Sequence, residues 1–168
     1  RNKSGHERNR RSMSAREFSA AAPSARSRTA DTARATVFDV LRSVAESDAY
    51  ANLVLPKAIR SHRLDHRDAG FATELTYGTL RHQGTYDAIL SRCVDRPIEK
   101  VGTTTLIVLR MGVHQLLNMR VPAHAALNQS VSLAREKIGA GPASFINAVL
   151  RRVSERTPEE WYELIIED

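Results

Sequence analysis

The stretch from Leu109 to Val153, LRMGVHQLLNMRVPAHAALNQSVSLAREKIGAGPASFINAVLRRV, limits what this chain can fold into more than any other segment. With the residues just before it, it reads as three successive helices. The first, from about Thr103 to Asn118, carries Leu106, Leu109, Val113, Leu116 and Leu117 on its main face, and Val108 and Met111 extend the apolar surface past that stripe. A helix apolar on most of its sides is stable only when surrounded by others, so this segment predicts the centre of a helical bundle. Pro122 starts the second helix, in which Leu127, Val131, Ala134 and Ile138 recur at helical spacing. Gly139-Ala140-Gly141-Pro142 closes it and opens a third, with Pro142 in the first turn and Ile146, Val149, Leu150 and Val153 along one face.

The flanking chain has the same character. Asp31 is placed to cap a helix whose buried face is Ala33, Val37, Val40, Leu41 and Val44, ending near Glu46-Ser47. A shorter helix follows from about Tyr50 to Arg60, with Leu53, Leu55 and Ile59 as anchors and Pro56 inside it. Asp65 caps a long helical run to Val94, in which Gly78 and Gly84 permit a kink or a close helix approach. Asp95-Arg96-Pro97 is a turn, and Thr157-Pro158-Glu159-Glu160 is a capping box that opens a last helix. No segment alternates with period two. The expected fold is an all-α bundle of about seven helices over residues 31–168.

Charge divides the chain at the same point. Residues 1–30 hold seven arginines and one lysine against two glutamates, which accounts for the entire net charge of +6. The remaining 17 basic and 17 acidic residues cancel. An Arg-, Ser- and Ala-rich segment with few large apolar residues cannot offset its ordering entropy, so residues 1–30 are expected to form a disordered basic arm. Arg8, Arg10, Arg11, Arg16, Arg26 and Arg28 in that arm are candidate phosphate contacts. A chain that begins at Arg1 and not at Met suggests an excerpt or a processed product. No run approaches the roughly 18 apolar residues of a membrane span. With Cys93 as the single cysteine there is no internal disulfide, and the expected location is the cytoplasm, without a membrane.

Catalytic patterns are missing. There is no nucleophile elbow, no phosphate-binding Gly-rich loop after a strand, and no convincing ligand set around His62 and His66. His114 and Cys93 both fall on apolar helix faces and are expected to be core residues. Glu74, Arg81, Arg110, Gln115, Asn128, Gln129 and Asn147 interrupt apolar helices. Pairing across helix interfaces is the expectation for Glu74, Asn128 and Asn147. Arg34, Arg81, Arg110, Arg120, Arg151 and Arg152 join the arm as candidate RNA contacts, because a guanidinium suits bidentate contact with phosphate.

Four separated motifs occur in a recognisable order: RDAGFATELTYGTLR, DAILSRCVDRPIEK, LRMGVHQLLNMRVPAHAALNQSVSLA and FINAVLRRV. Together they resemble the NusB-like domain of the RsmB/Sun (Fmu) family of 16S rRNA cytosine-C5 methyltransferases, over roughly Asp31 to Glu160. The resemblance implies a NusB-like all-helical bundle that binds or positions RNA, here 16S rRNA. It also implies a methyltransferase domain of the same polypeptide that binds S-adenosylmethionine and carries the catalytic cysteines. No catalytic, cofactor or metal residue carries over to this chain: Cys93 follows Arg92, not the proline of the family motif, and His114 stands where an aromatic residue is expected. The chain is thus expected to be a non-catalytic, monomeric RNA-binding domain with no cofactor of its own. Two other readings stay open: a stand-alone NusB-like antitermination factor, and a docking module for the methyltransferase domain that does not touch RNA.

Overall fold

The computed structural model describes residues 32–167, so the expected cap at Asp31 and the arm over residues 1–30 lie outside the described part. Helix α1 spans residues 32–47. It is followed by α2 (Ala51–Ser61), α3 (His66–Arg81), α4 (Gln83–Ser91), a single 3-10 turn (Ile98–Lys100), α5 (Thr103–Leu117), α6 (Ala123–Lys137), α7 (Ala140–Ser154) and α8 (Pro158–Ile166). Among the described residues there is no strand.

Eight α-helices stand where about seven were expected, because the long run after Asp65 divides at His82. With φ −102° and ψ 14°, His82 ends α3 and serves as the N-cap of α4. The start of α3 follows the sequence: the Asp65 side chain accepts from the Asp68 N–H at 2.8 Å, satisfying one of the amides a helix start leaves open.

Helix α5 is the axis of the bundle. Nine of its fifteen residues are buried, more than one face can hold. It packs against α3, α4, α6 and α7, and α1 adds Val37, Phe38 and Leu41 to the same core. Two glycines let its neighbours come close. A Cβ on Gly78 would lie 2.1 Å from His114 Nε2, and one on Gly112 would lie 2.6 Å from Leu150 Cδ1. Either distance is far inside van der Waals contact, so the α3–α5 and α5–α7 approaches require the missing side chains. Gly84, in contrast, faces open space.

Helix α2 departs from expectation. Leu53 is 61% exposed and Leu55 alone is buried within α2, which rests on α3. Helices α6 and α7 form a tight hairpin joined through Ile138 and Gly139. Gly139 has φ 154° and ψ 176°, a conformation essentially restricted to glycine, and it turns the chain directly into α7. The capping box at the start of α8 is present in both directions between Thr157 and Glu160. Trp161 then fixes α8 to α7, its indole Nε1 donating to the Val153 carbonyl at 2.8 Å.

Candidate nucleic-acid interface

The most elaborate polar assembly is sealed at its centre. Tyr86 on α4 and His114 on α5 are 0% and 1% exposed, and the Tyr86 hydroxyl lies 2.6 Å from His114 Nδ1. His114 Nε2 lies 3.2 Å from Glu74 Oε1 on α3. A carboxylate can only accept, so Nε2 carries the proton and Nδ1 accepts from the tyrosine. Asn118 donates through Nδ2 to the Tyr86 oxygen, and Tyr162 on α8 donates to Asn118 Oδ1 at 3.4 Å. The resulting chain, Tyr162 to Asn118 to Tyr86 to His114 to Glu74, ties four helical regions together. Burial pushes the His114 pKa down and the Tyr86 pKa up, so both stay neutral near pH 7. The chain resembles an acid–base relay in composition, but the phenol and the imidazole at its middle are closed off from solvent. Its work is structural.

Burial settles Cys93 too. The residue is 3% exposed, and desolvation pushes its thiol up to about 11, so it offers no thiolate at neutral pH. The described residues form no strand, so the crevice at the end of a parallel sheet, one usual setting of a nucleotide cofactor, is not among them.

The candidate arginines separate by what they touch. Arg34 is turned inward: it is 6% exposed, donates from Nε to Gln115 Oε1 at 2.8 Å, and lies 4.8 Å from the centroid of the Phe71 ring. Its guanidinium serves the α1–α5 junction and cannot reach a ligand in solvent. Arg110 makes a bidentate pair with Asp87, at 2.7 and 2.8 Å, that joins α5 to α4. Arg152 donates from Nη1 to the Cys93 carbonyl at 2.6 Å, capping the chain just after α4. Arg81, Arg120 and Arg151 are exposed. Arg120 adopts the left-handed region, φ 54°, in the turn after α5. Arg8, Arg10, Arg11, Arg16, Arg26 and Arg28 lie outside the described residues.

An open cleft collects residues that the sequence did not mark as candidate contacts. It encloses about 310 Å³ and is lined by Arg96, Lys100, Gly102, Thr105, Pro142 and Phe145, with Val101 and Gly141 completing it. The first turns of α5 and α7 both reach into this cleft. Gly102 and Gly139 are their N-caps, neither N-cap side chain closes a helix end, and neither first turn contains an acid. The start of α5 leaves its first amide N–H groups open at the positive end of a fifteen-residue dipole. Helix α7 contributes less, because Pro142, which lines the cleft, has no N–H and the Ala143 N–H is already bonded to the Gly139 carbonyl. Arg96 lies over the Phe145 ring, its Cζ 4.8 Å from the centroid. The same side chain holds Asp95 at 3.0 Å and keeps that carboxyl below its usual range, but the pair is exposed and weak. Lys100 forms no ion pair among the described residues. Helix starts, a lysine and an arginine stacked on an aromatic ring are the chemistry of a phosphate-bearing ligand.

On the other flank of α7 a second groove, about 320 Å³, runs between α6 and α7. Asn128, Ser132 and Arg135 line it from α6, and Ser144, Asn147 and Arg151 from α7. Asn128 is exposed and no bond holds either Asn128 or Asn147, so the pairing expected for these two amides is not what the structure contains. Glu74 does pair, with His114.

A protein-family model described as the NusB family matches residues 31–155. The chain belongs to the NusB family. Solved relatives share the fold: Thermotoga maritima NusB aligns with TM-score 0.70 at 19% identity, covering 80% of this chain and 96% of that one. NusB in a complex of the antitermination factors NusB and NusE with double-stranded RNA aligns with TM-score 0.69 at 20% identity, covering 76% of this chain and 97% of that one. Sequence relatives are larger proteins. A Mycobacterium tuberculosis protein with a provisional methyltransferase name is 43% identical over 81% of this chain, which spans 30% of that protein. Ribosomal RNA small subunit methyltransferase B of Thermus thermophilus is 34% identical over 83% of this chain and 34% of its own length. The enzyme of the same name from Pseudomonas putida is 32% identical over 71% of this chain and 27% of its own. This NusB-family chain thus spans about a third or less of the methyltransferases it matches, as the four motifs anticipated. None of its described helices is long and apolar enough to cross a membrane.

Proposed function

We propose that this NusB-family domain is a non-catalytic RNA-binding and positioning unit of a small-subunit rRNA cytosine-C5 methyltransferase. The cleft between α5 and α7 takes the RNA backbone. One observation carries the reading: Arg96 and Lys100 line a cleft together with the acid-free first turns of α5 and α7, in a stretch, residues 31–168, that carries no net charge. A phosphate there accepts from amides at the start of α5 while its charge is met by both side chains. The stacked Arg96 and Phe145 add a flat surface for an unpaired base. The names of the sequence relatives supply the rRNA and the methyltransferase, and S-adenosylmethionine belongs with that second domain. The arm over residues 1–30 adds non-specific phosphate affinity, and Arg81 and Arg120 extend the contact at the surface.

Binding of the full chain to a 16S rRNA fragment, followed across a salt series, tests this reading. Each phosphate released should flatten the log–log slope by about 0.7 for single strands. Reversing the cleft charges with Arg96→Glu and Lys100→Glu should remove most of the affinity while leaving the thermal transition in place. Unchanged binding in that double variant would overturn the assignment of the cleft, and an unchanged slope after deletion of residues 1–30 would refute the role of the arm.

A further inference from the structure

The groove between α6 and α7 has a composition that phosphate binding does not explain. Its six polar side chains, Asn128, Ser132 and Arg135 at positions i, i+4 and i+7 of α6 and Ser144, Asn147 and Arg151 at i, i+3 and i+7 of α7, share one space by helical geometry. None of the six makes a side-chain hydrogen bond or ion pair within the described residues. Even Glu155, four residues beyond Arg151 at a spacing that commonly pairs, leaves that guanidinium unpaired. No carboxylate lines the groove, and its apolar lining is limited to Val131 and Ala143.

A bare anion would use donors alone. Here two guanidinium groups are accompanied by two carboxamides and two hydroxyls, each of which also presents an acceptor. The ligand that uses both kinds has an anionic part and a part carrying donors and acceptors side by side. A protein partner is a poorer fit, because the groove has no aromatic or large apolar pocket to anchor one. A volume of about 320 Å³ is of the size that holds a small ligand unit.

We infer that the α6–α7 groove holds one unstacked nucleotide of single-stranded RNA, its phosphate on Arg135 and Arg151 and its base edge on Asn128 and Asn147. This rests on the RNA-binding reading and adds sequence discrimination to it. Sequence-specific RNA recognition favours splayed single-stranded bases read on their edges. An asparagine amide matches adenine in a bidentate manner, so adenine is the expected base.

The test uses the full chain with short oligoribonucleotides of A, C, G or U at fixed salt, followed by fluorescence anisotropy. The wild-type chain should prefer oligo-A by about tenfold, since one good bidentate contact is worth at least roughly that ratio. Asn128→Ala and Asn147→Ala should bring the four affinities to within about twofold. Arg135→Ala and Arg151→Ala should weaken all four alike, and combined should flatten the salt slope by about 0.7, the share of the one phosphate they hold. Asn128, Arg135 and Arg151 are exposed and unpaired, so their variants should melt as the wild type does. Equal wild-type affinity for all four oligomers, or a preference that survives both asparagine changes, would overturn the inference. If binding persists and depends on Arg96 and Lys100 while the groove variants change nothing, this inference alone falls. If the wild type binds no RNA, the RNA-binding reading falls with it.

Discussion

The sealed relay at α3, α4 and α5 and the open spaces on either side of α7 contain similar residue types in opposite circumstances. In the relay each side chain has a partner, Tyr86 and His114 are buried, and the chain of donors runs in one direction from Tyr162 to Glu74. Around α7, Arg135, Arg151, Asn128, Asn147 and Lys100 have no side-chain partner in the described part of the molecule. A buried polar group without a partner costs about 1–3 kcal/mol, which favours the paired arrangement of the relay, although the Thr76 and Thr79 hydroxyls are buried without one. Solvent removes that penalty at the surface, which leaves unpaired donors there free for a ligand. The histidine that looks most like chemistry is scaffold, and residues that look like ordinary surface are the candidate site.

The largest expected effect separates the two regions outright. Arg96→Glu with Lys100→Glu should lower RNA affinity on the order of 100-fold near 0.1 M salt, about tenfold for each charge reversed, with little change in melting temperature. A fall in melting temperature of comparable weight would mean that the cleft is structural as well.

Gly78→Ala should do the reverse. The added Cβ must displace the His114 ring from 2.1 Å, and overpacking of this sort costs about 1–3 kcal/mol in urea unfolding. RNA affinity of the folded fraction should not change. A clear loss of affinity would couple the two regions.

Tyr86→Phe should cost about 1–2 kcal/mol, since it leaves His114 Nδ1 and the Asn118 amide without their shared partner. A neutral result in the same unfolding assay would mean that the relay contributes order and not stability.

The smallest effect is the pH dependence. Burial holds the folded pKa of His114 below its ordinary value of 6.5. The unfolded chain therefore binds more protons as the medium acidifies, so stability from this group is full above about pH 6.5 and is lost as pH falls through the depressed folded value. His114→Phe should flatten the fall of melting temperature between neutral and mildly acidic pH. An identical slope in that variant would assign the acid sensitivity elsewhere.

Much of the scaffold was legible locally. The Asp65 cap, the Thr157 box and the all-round apolar character of α5 are one-turn or one-helix signals, and each appears where its pattern stands. So does the family, from four ordered motifs. Arg34 misleads because a charged residue at the start of an amphipathic helix looks solvated. The spacing of Arg34, Phe38 and Leu41 at i, i+4 and i+7 does place it on a buried side. Arg96 and Lys100 look like ordinary turn residues. Their setting depends on Gly102 and Pro142 meeting in space, and no local pattern states that two distant helix starts share a cleft. A hint exists in Arg96 and Lys100 standing just before a helix whose first turn is free of acids. Asn128 and Asn147 look like interface pairs because a lone amide in an apolar helix usually pairs, although Ser132, Arg135, Ser144 and Arg151 continue a polar stripe beside them.

Helix α7 contributes Phe145 to the cleft and Arg151 to the groove on its opposite flank, six positions apart. At 1.5 Å per residue these two sit about 9 Å apart along the axis, and each residue turns the helix by about 100°. The helix thereby acts as a gauge of fixed length and phase. In descent it would tolerate exchanges of side chain on its outer face far better than any change of length. One residue gained or lost between Ile146 and Leu150 would leave Phe145 in place and swing Arg151 out of register, uncoupling two candidate surfaces that a single rigid rod now keeps in step.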